Sequence, residues 1–193
     1  MEITHWIKII EGNIVRDGHI ITIRKDNAPE NFYRQLQYSY PKFFKMDVLC
    51  KWAWLGAETL LHDQAAFAYE GMDKNRIAVV MATAHGCLEV DKKYQQSMQT
   101  IPSPALFVYT LSNIMLGEIC IRHGFKGEQM CLVADRFDSS ELYFYVSDLL
   151  ENRGMDACLC GWVDAVNDEY DVRMFWVVKK GKGLPFSAAA MEG

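Results

Sequence analysis

Residues 76–90, RIAVVMATAHGCLEV, hold the feature that most constrains the fold. Positions 77–82 are apolar without alternation and rich in β-branched types. A strand with one wet face alternates apolar and polar residues; a short continuous run suits a strand covered on both faces. The pattern recurs at 130–134, 156–163 and 172–178. Several such strands cannot bury both faces by themselves, so helices must cover them.

The intervening stretches supply helices. Met46, Leu49, Trp52, Ala53, Leu60 and Leu61 recur at helical spacing within 45–68, and Trp54, Leu55 and Ala57 widen the stripe. Residues 110–123 are apolar nearly all round, which predicts a buried helix. Residues 89–99 read as a surface helix. Asp138 followed by Glu141 forms a capping-box signature for a helix running to about Asn152. Residues 5–24 read as a hairpin, broken at Glu11-Gly12-Asn13 and Asp17-Gly18. Residues 27–44 read as a loop with one short helix after Pro29, and Pro102 and Pro104 stiffen the turn at 101–104. Buried strands alternating with helices define an α/β layered sheet. One domain over 1–180 is expected, with 181–193 a loose tail.

The chain has 193 residues, 50% of them hydrophobic, enough for one real core. Net charge is −5, and Lys179, Lys180 and Lys182 form only a small basic patch, so nucleic acid is not an expected partner. The six cysteines, Cys50, Cys87, Cys120, Cys131, Cys158 and Cys160, contain no C-x-x-C pair and sit mostly in apolar runs. They read as buried free thiols in a reducing cytoplasm. Residues 1–5 do not resemble a signal peptide, and no apolar run reaches bilayer length, so no membrane insertion is expected. His5, His19, His62 and His123 are scattered singly, without metal-ligand spacing, and no glycine-rich phosphate loop occurs. Neither metal nor cofactor is expected.

Four segments carry a more specific signal. TLSNIMLGEICIRHGFKGEQ, at 110–129, resembles the β-ketoacyl (3-oxoacyl-ACP) synthase segment in which an Asn-containing buried helix leads to a Gly-Pro turn; Asn113, Gly117, Gly124 and Gly127 fall in step with it. YPKFFKMDVLCKWAWLGAETLL resembles the family's Met-Asp helix near the substrate entrance, and IAVVMATAHGCLE its Gly-containing strand end. NRGMDACLCGWVDA resembles the strand ending in Gly-Gly, with Gly161 kept and Trp162 in place of the second Gly. The resemblance covers roughly 40–166 and implies a thiolase-like half-fold, a mixed sheet layered with helices.

The departures bear on function. Active members of the family place a nucleophilic Cys after the Gly-Pro turn, at the start of a buried helix, where the helix N-terminus stabilises the thiolate. Counting from Gly127 and back from Gly161 puts Arg136 at that place, in the run Ala134-Asp135-Arg136-Phe137-Asp138. A guanidinium, with a pKa above about 12, offers no nucleophilic electron pair at neutral pH. Glu128 replaces the family's Pro, and the family's catalytic histidines belong to a second half that has no counterpart here. The resemblance thus implies a vacated nucleophile position at Asp135, Arg136 and Phe137. An Asp135–Arg136 ion pair plugging an empty pocket is preferred over a charge that binds phosphopantetheine or a partner's carboxylate. Asn113 is expected to be buried and to support the backbone.

Of other nucleophiles, Cys131 lies mid-strand, where burial raises a thiol pKa. Cys87 beside His85, at a strand end, is the remaining enzymatic candidate; the plainer reading is a tight turn needing Gly86. Ser139 and Ser140 read as capping residues. A half-fold would leave apolar faces on the 45–68 and 110–123 helices, so a partner is expected. That partner is a second copy, or a full-length ketosynthase in the manner of a chain-length factor, with an acyl carrier protein as a possible further partner. The expected role is a catalytically inactive accessory subunit of fatty-acid or polyketide-type biosynthesis. The alternative is a small acyl-thioester-processing enzyme using Cys87 and His85.

Overall fold

The computed structural model describes residues 1–21, 28–63 and 66–192. The chain opens on an antiparallel meander, β1 (Glu2–Ile10), β2 (Asn13–Arg16) and β3 (His19–Ile21). Both turns are two residues long, and Glu11, Gly12, Asp17 and Gly18 all take positive φ, as twist-matched hairpin turns require. Residues 22–24 of the expected hairpin lie outside the described residues. Next come α1 (Pro29–Gln35), a 3₁₀ turn at Pro41–Lys45, α2 (Val48–Leu61) and the short strands β4 (His62–Asp63) and β5 (Ala66–Phe67). Then follow β6 (Ile77–Thr83), α3 (Leu88–Ser97), α4 (Pro104–Phe107), α5 (Ile114–His123), β7 (Gln129–Val133) and α6 (Ser139–Glu151). The chain continues with β8 (Ala157–Val166), β9 (Glu169–Val178), β10 (Leu184–Pro185) and α7 (Ala188–Glu192).

The main sheet runs β3-β2-β1-β9-β8-β6-β7, with β10 paired to β1. β6 is parallel to both β7 and β8, and the other pairs are antiparallel, so the sheet is mixed, as expected. Every residue of β6 is buried, and β8 is buried from Ala157 to Val163. Side chains of opposite parity feed two cores. One lies under α2 and α5, the other under α6 and α7.

Three expectations fail. The α2 helix is not bare: all of it except Val48 and Lys51 is buried. The sheet covers one side, while Tyr33, Tyr38, Tyr40 and Phe43 close round Trp54 on the other, Tyr40 stacking on it with ring centroids 5.4 Å apart. At about 25 cal/mol per Å², burying an aromatic ring of this size contributes on the order of 5 kcal/mol. The β7 strand is not doubly covered. Among the described residues it pairs only with β6, and Val133 is 73% exposed. Its apolar composition matches that of a central strand, and composition alone does not show whether a neighbour stands on the far side. The tail expected to be loose at 181–193 is not so over its described residues, 181–192. β10 and α7 fold back, burying Phe186 and Met191 in the α6 core, while Ser139 Oγ donates to Glu192 Oε1 at 2.7 Å.

The cap at Asp138 forms as expected, its carboxylate accepting the Glu141 N–H at 2.9 Å. An Asp138→Ala substitution should lower unfolding free energy by about 1 kcal/mol in urea titration, with Asn largely restoring it.

Candidate functional site

In open α/β sheets, ligands sit beyond the carboxyl ends of parallel strands. Here β6, β7 and β8 present His85, Arg136 and Asp164 toward that end. Asp164 binds the β6 loop closely. Its Oδ1 accepts from the Thr83 hydroxyl at 2.9 Å, the Ala84 N–H at 3.1 Å and the His85 N–H at 2.9 Å. Its Oδ2 meets His85 Nδ1 at 2.7 Å. Burial pushes this carboxyl up, but the bonds from His85 and Thr83 outweigh it and hold the group below the usual carboxylate range.

Cys87 is not paired with His85. Its thiol donates to Asp91 Oδ2 at 3.3 Å and accepts from the Ser112 hydroxyl at 3.8 Å. Burial, joined by the Asp91 carboxylate, raises the thiol pKa, the opposite of what an activated nucleophile needs. Cys131 is likewise raised by burial.

Asp135 and Arg136 are both exposed and make no ion pair among the described residues, so they plug nothing. The helix starts only at Ser139, which leaves Arg136 in the loop ahead of the cap. Phe137 alone turns inward, 6.3 Å from the Phe175 ring and beneath the Arg173 guanidinium at 5.3 Å. Asn113 is exposed at the start of α5 with no side-chain capping bond, so it is not the buried support expected. Gly124 is the left-handed C-cap of α5, at φ +75°, its N–H bonded to Cys120 O. Gly127 and Gly161 allow backbones to meet, since a Cβ at either would strike a carbonyl oxygen, Ile77 O or Arg173 O. Gly117 faces open space.

A buried charge cluster escaped the sequence reading. Arg122 clasps Glu58 with two hydrogen bonds, the Nε contact at 2.8 Å. His123, fully buried, meets the Tyr69 hydroxyl at 3.1 Å. Burial and the Arg122 charge push its pKa from 6.5 down to about 3. The ring is therefore neutral, and Glu58 Oε2, 3.7 Å away, is not its salt-bridge partner. With Glu58 and His123 both buried, no substrate reaches them, and the cluster is structural. In the unfolded chain His123 takes up a proton near pH 6.5, whereas in the folded protein it does so only near 3. Stability is thus complete above 6.5 and falls at about 1.4 kcal/mol per pH unit below it. Between pH 7 and 5, wild type should lose about 2 kcal/mol more than His123→Gln in urea titrations, a difference that tests the ring's neutrality.

A cleft of about 530 Å³ lies between α1, the start of α2, α3 and the β8–β9 turn, lined by Trp52, Tyr109, Lys45 and Lys93. Among the described residues, no group of three His, Cys, Asp or Glu could hold a metal, and no helix is long and apolar enough to cross a membrane.

The order of strands and helices, with glycines where the chain passes closest to itself, makes a mixed α/β sheet layered with helices. No protein-family model and no curated protein matches the sequence. Solved structures match the fold. The ishigamide ketosynthase/chain length factor superposes with TM-score 0.69 at 18% identity, over 92% of this chain and 61% of that one. The ketosynthase ApeO in complex with its chain length factor ApeC, from Xenorhabdus doucetiae, gives 0.60 at 15%, over 95% and 81%. AntDE:AntF, a type II polyketide synthase acyl-carrier protein in complex with its ketosynthase bound to the hexaketide, gives 0.62 at 11%, over 92% and 62%. The chain therefore has the fold of ketosynthase and chain-length-factor proteins, and spans about three fifths of the first of these chains.

Proposed function

We propose that this chain is a condensation-incompetent, chain-length-factor-like partner of a full-length 3-oxoacyl-ACP synthase in polyketide- or fatty-acid-type biosynthesis in the cytoplasm. The observation that carries the reading is Arg136, an exposed cation with no thiol in its loop, at the place the synthase resemblance reserves for the nucleophile. No acyl-enzyme can form on a guanidinium.

The open edge of β7 supports a partner chain. Val133 on the strand, Ile121 on α5 and Phe144 on α6 are all exposed, and an apolar edge strand left bare invites pairing. A heterodimer is favoured over a homodimer because the matching structures are ketosynthase and chain-length-factor assemblies. The ApeO–ApeC match adds weight, since the matched chain is little longer than this one. An acyl carrier protein is the third member, by analogy with the AntDE:AntF complex. The rival reading, thioester processing by Cys87 with His85, is weakened by a thiol hydrogen-bonded to Asp91 instead of to the His85 imidazole.

Intact-mass spectrometry after exposure to acyl-carrier thioester or cerulenin tests the proposal. No adduct is expected on this chain. A mass shift mapped to one cysteine would overturn the reading.

A further inference from the structure

We propose that His85, positioned by Asp164, is a general base that hydrolyses small acyl thioesters, an activity separate from condensation. Only the choice of thioester rests on the reading of the chain as a member of an acyl-chain pathway; the acid–base arrangement stands on geometry.

The Asp164 carboxylate is anchored on β8 and only 14% exposed, while the His85 side chain is 47% exposed. An ionised carboxylate can only accept, so the 2.7 Å contact requires the hydrogen on Nδ1. In its neutral form the ring then carries its lone pair on Nε2, which makes no hydrogen bond among the described residues. This is the division of roles seen in hydrolytic Asp–His pairs: the acid fixes tautomer and orientation, and the far nitrogen takes the proton.

Closure of the loop alone does not account for the pair. The Thr83 hydroxyl and the N–H groups of Ala84 and His85 already tie the loop to Asp164. A fourth bond to a half-exposed ring adds little stability, because exposed pairs contribute roughly 0–1 kcal/mol. What it does is hold an imidazole in one orientation at the carboxyl ends of β6 and β8. Gly86, at φ +55°, donates its N–H to Thr83 Oγ1 at 3.1 Å and so turns the loop that carries the ring.

In the reaction, Nε2 accepts a proton from a water molecule as the water oxygen bonds to the thioester carbonyl carbon. The C–S bond breaks, and the imidazolium returns the proton to the departing thiolate. Carboxylic acid and thiol are the products, and no oxidant or reductant takes part.

The test uses the full chain with acetyl- and hexanoyl-N-acetylcysteamine, reading the released acid by chromatography from pH 5 to 9. Wild type should exceed an equal concentration of free imidazole by about 100-fold, within the usual range for a positioned base. His85→Gln should fall to the imidazole level, and Cys87→Ser should keep the wild-type rate. Asp164→Asn should lose most of the rate and move the ring hydrogen to Nε2, visible in ¹⁵N NMR of the imidazole. A wild-type rate no faster than imidazole, or one untouched by His85→Gln, overturns the proposal. Neither result bears on partner binding, which is measured separately.

Discussion

Replacing Gly161 with alanine should remove most of the chain from the soluble fraction and shift the urea midpoint of the remainder sharply downward. Gly161 sits in β8 between Met81 of β6 and Met174 of β9. A Cβ there would lie 2.0 Å from Arg173 O and 2.8 Å from Met174 Cα. Both are backbone atoms of a paired strand, so no rotamer change relieves the clash. Relief requires prying β9 from β8 in the middle of the sheet, at a cost of about 3 kcal/mol or more. That is a large part of a typical stability of roughly 5–15 kcal/mol. Gly117 supplies the control. It lies inside α5, and a Cβ added there would meet nothing within 4 Å, so Gly117→Ala should be neutral or stabilising by up to about 1 kcal/mol. Equal midpoints for the two variants would show that the sheet does not close as tightly as described.

Placing charge on the exposed apolar side chains of β7 and α6 should abolish capture by a full-length synthase while leaving the fold intact. Val133 and Phe144 are 73% and 67% exposed, so Val133→Glu with Phe144→Glu removes no core contact. In an assembled pair the two positions would be desolvated. Central apolar anchors are typically worth about 1–4 kcal/mol each, and a buried unpaired carboxylate adds a further penalty. Together they predict affinity at least 100-fold weaker, measured by co-purification and calorimetry, with an unchanged circular dichroism melt. Undiminished capture by the double variant would place the partner on another face.

How much of this was legible in the residues varies by element. The strands at 77–83 and 157–166 announce themselves because a strand covered twice has no reason to alternate. Asp138 was legible because a cap acts on the next turn. Asp164 is not legible as a partner of His85, since 79 positions separate them. The one available signal was an acidic residue near the end of an otherwise apolar strand, which must find donors. Arg136 is readable as a chemical vacancy, and the Asp138 cap already leaves it ahead of the helix; that it stands exposed and without an ion pair among the described residues depends on what packs nearby.

The sequence by itself determined the β6 and β8 strands, the α2, α5 and α6 helices, where the meander turns, and that no thiol stands between Ala134 and Ser140. These follow from interactions within a few residues of chain. Only the tertiary structure decided that β7 is an edge among the described residues, that α2 is covered at all but Val48 and Lys51, that Cys87 answers to Asp91, and that His85 answers to Asp164. Those outcomes depend on which distant segments arrive alongside, and side-chain periodicity carries no record of what will pack against it.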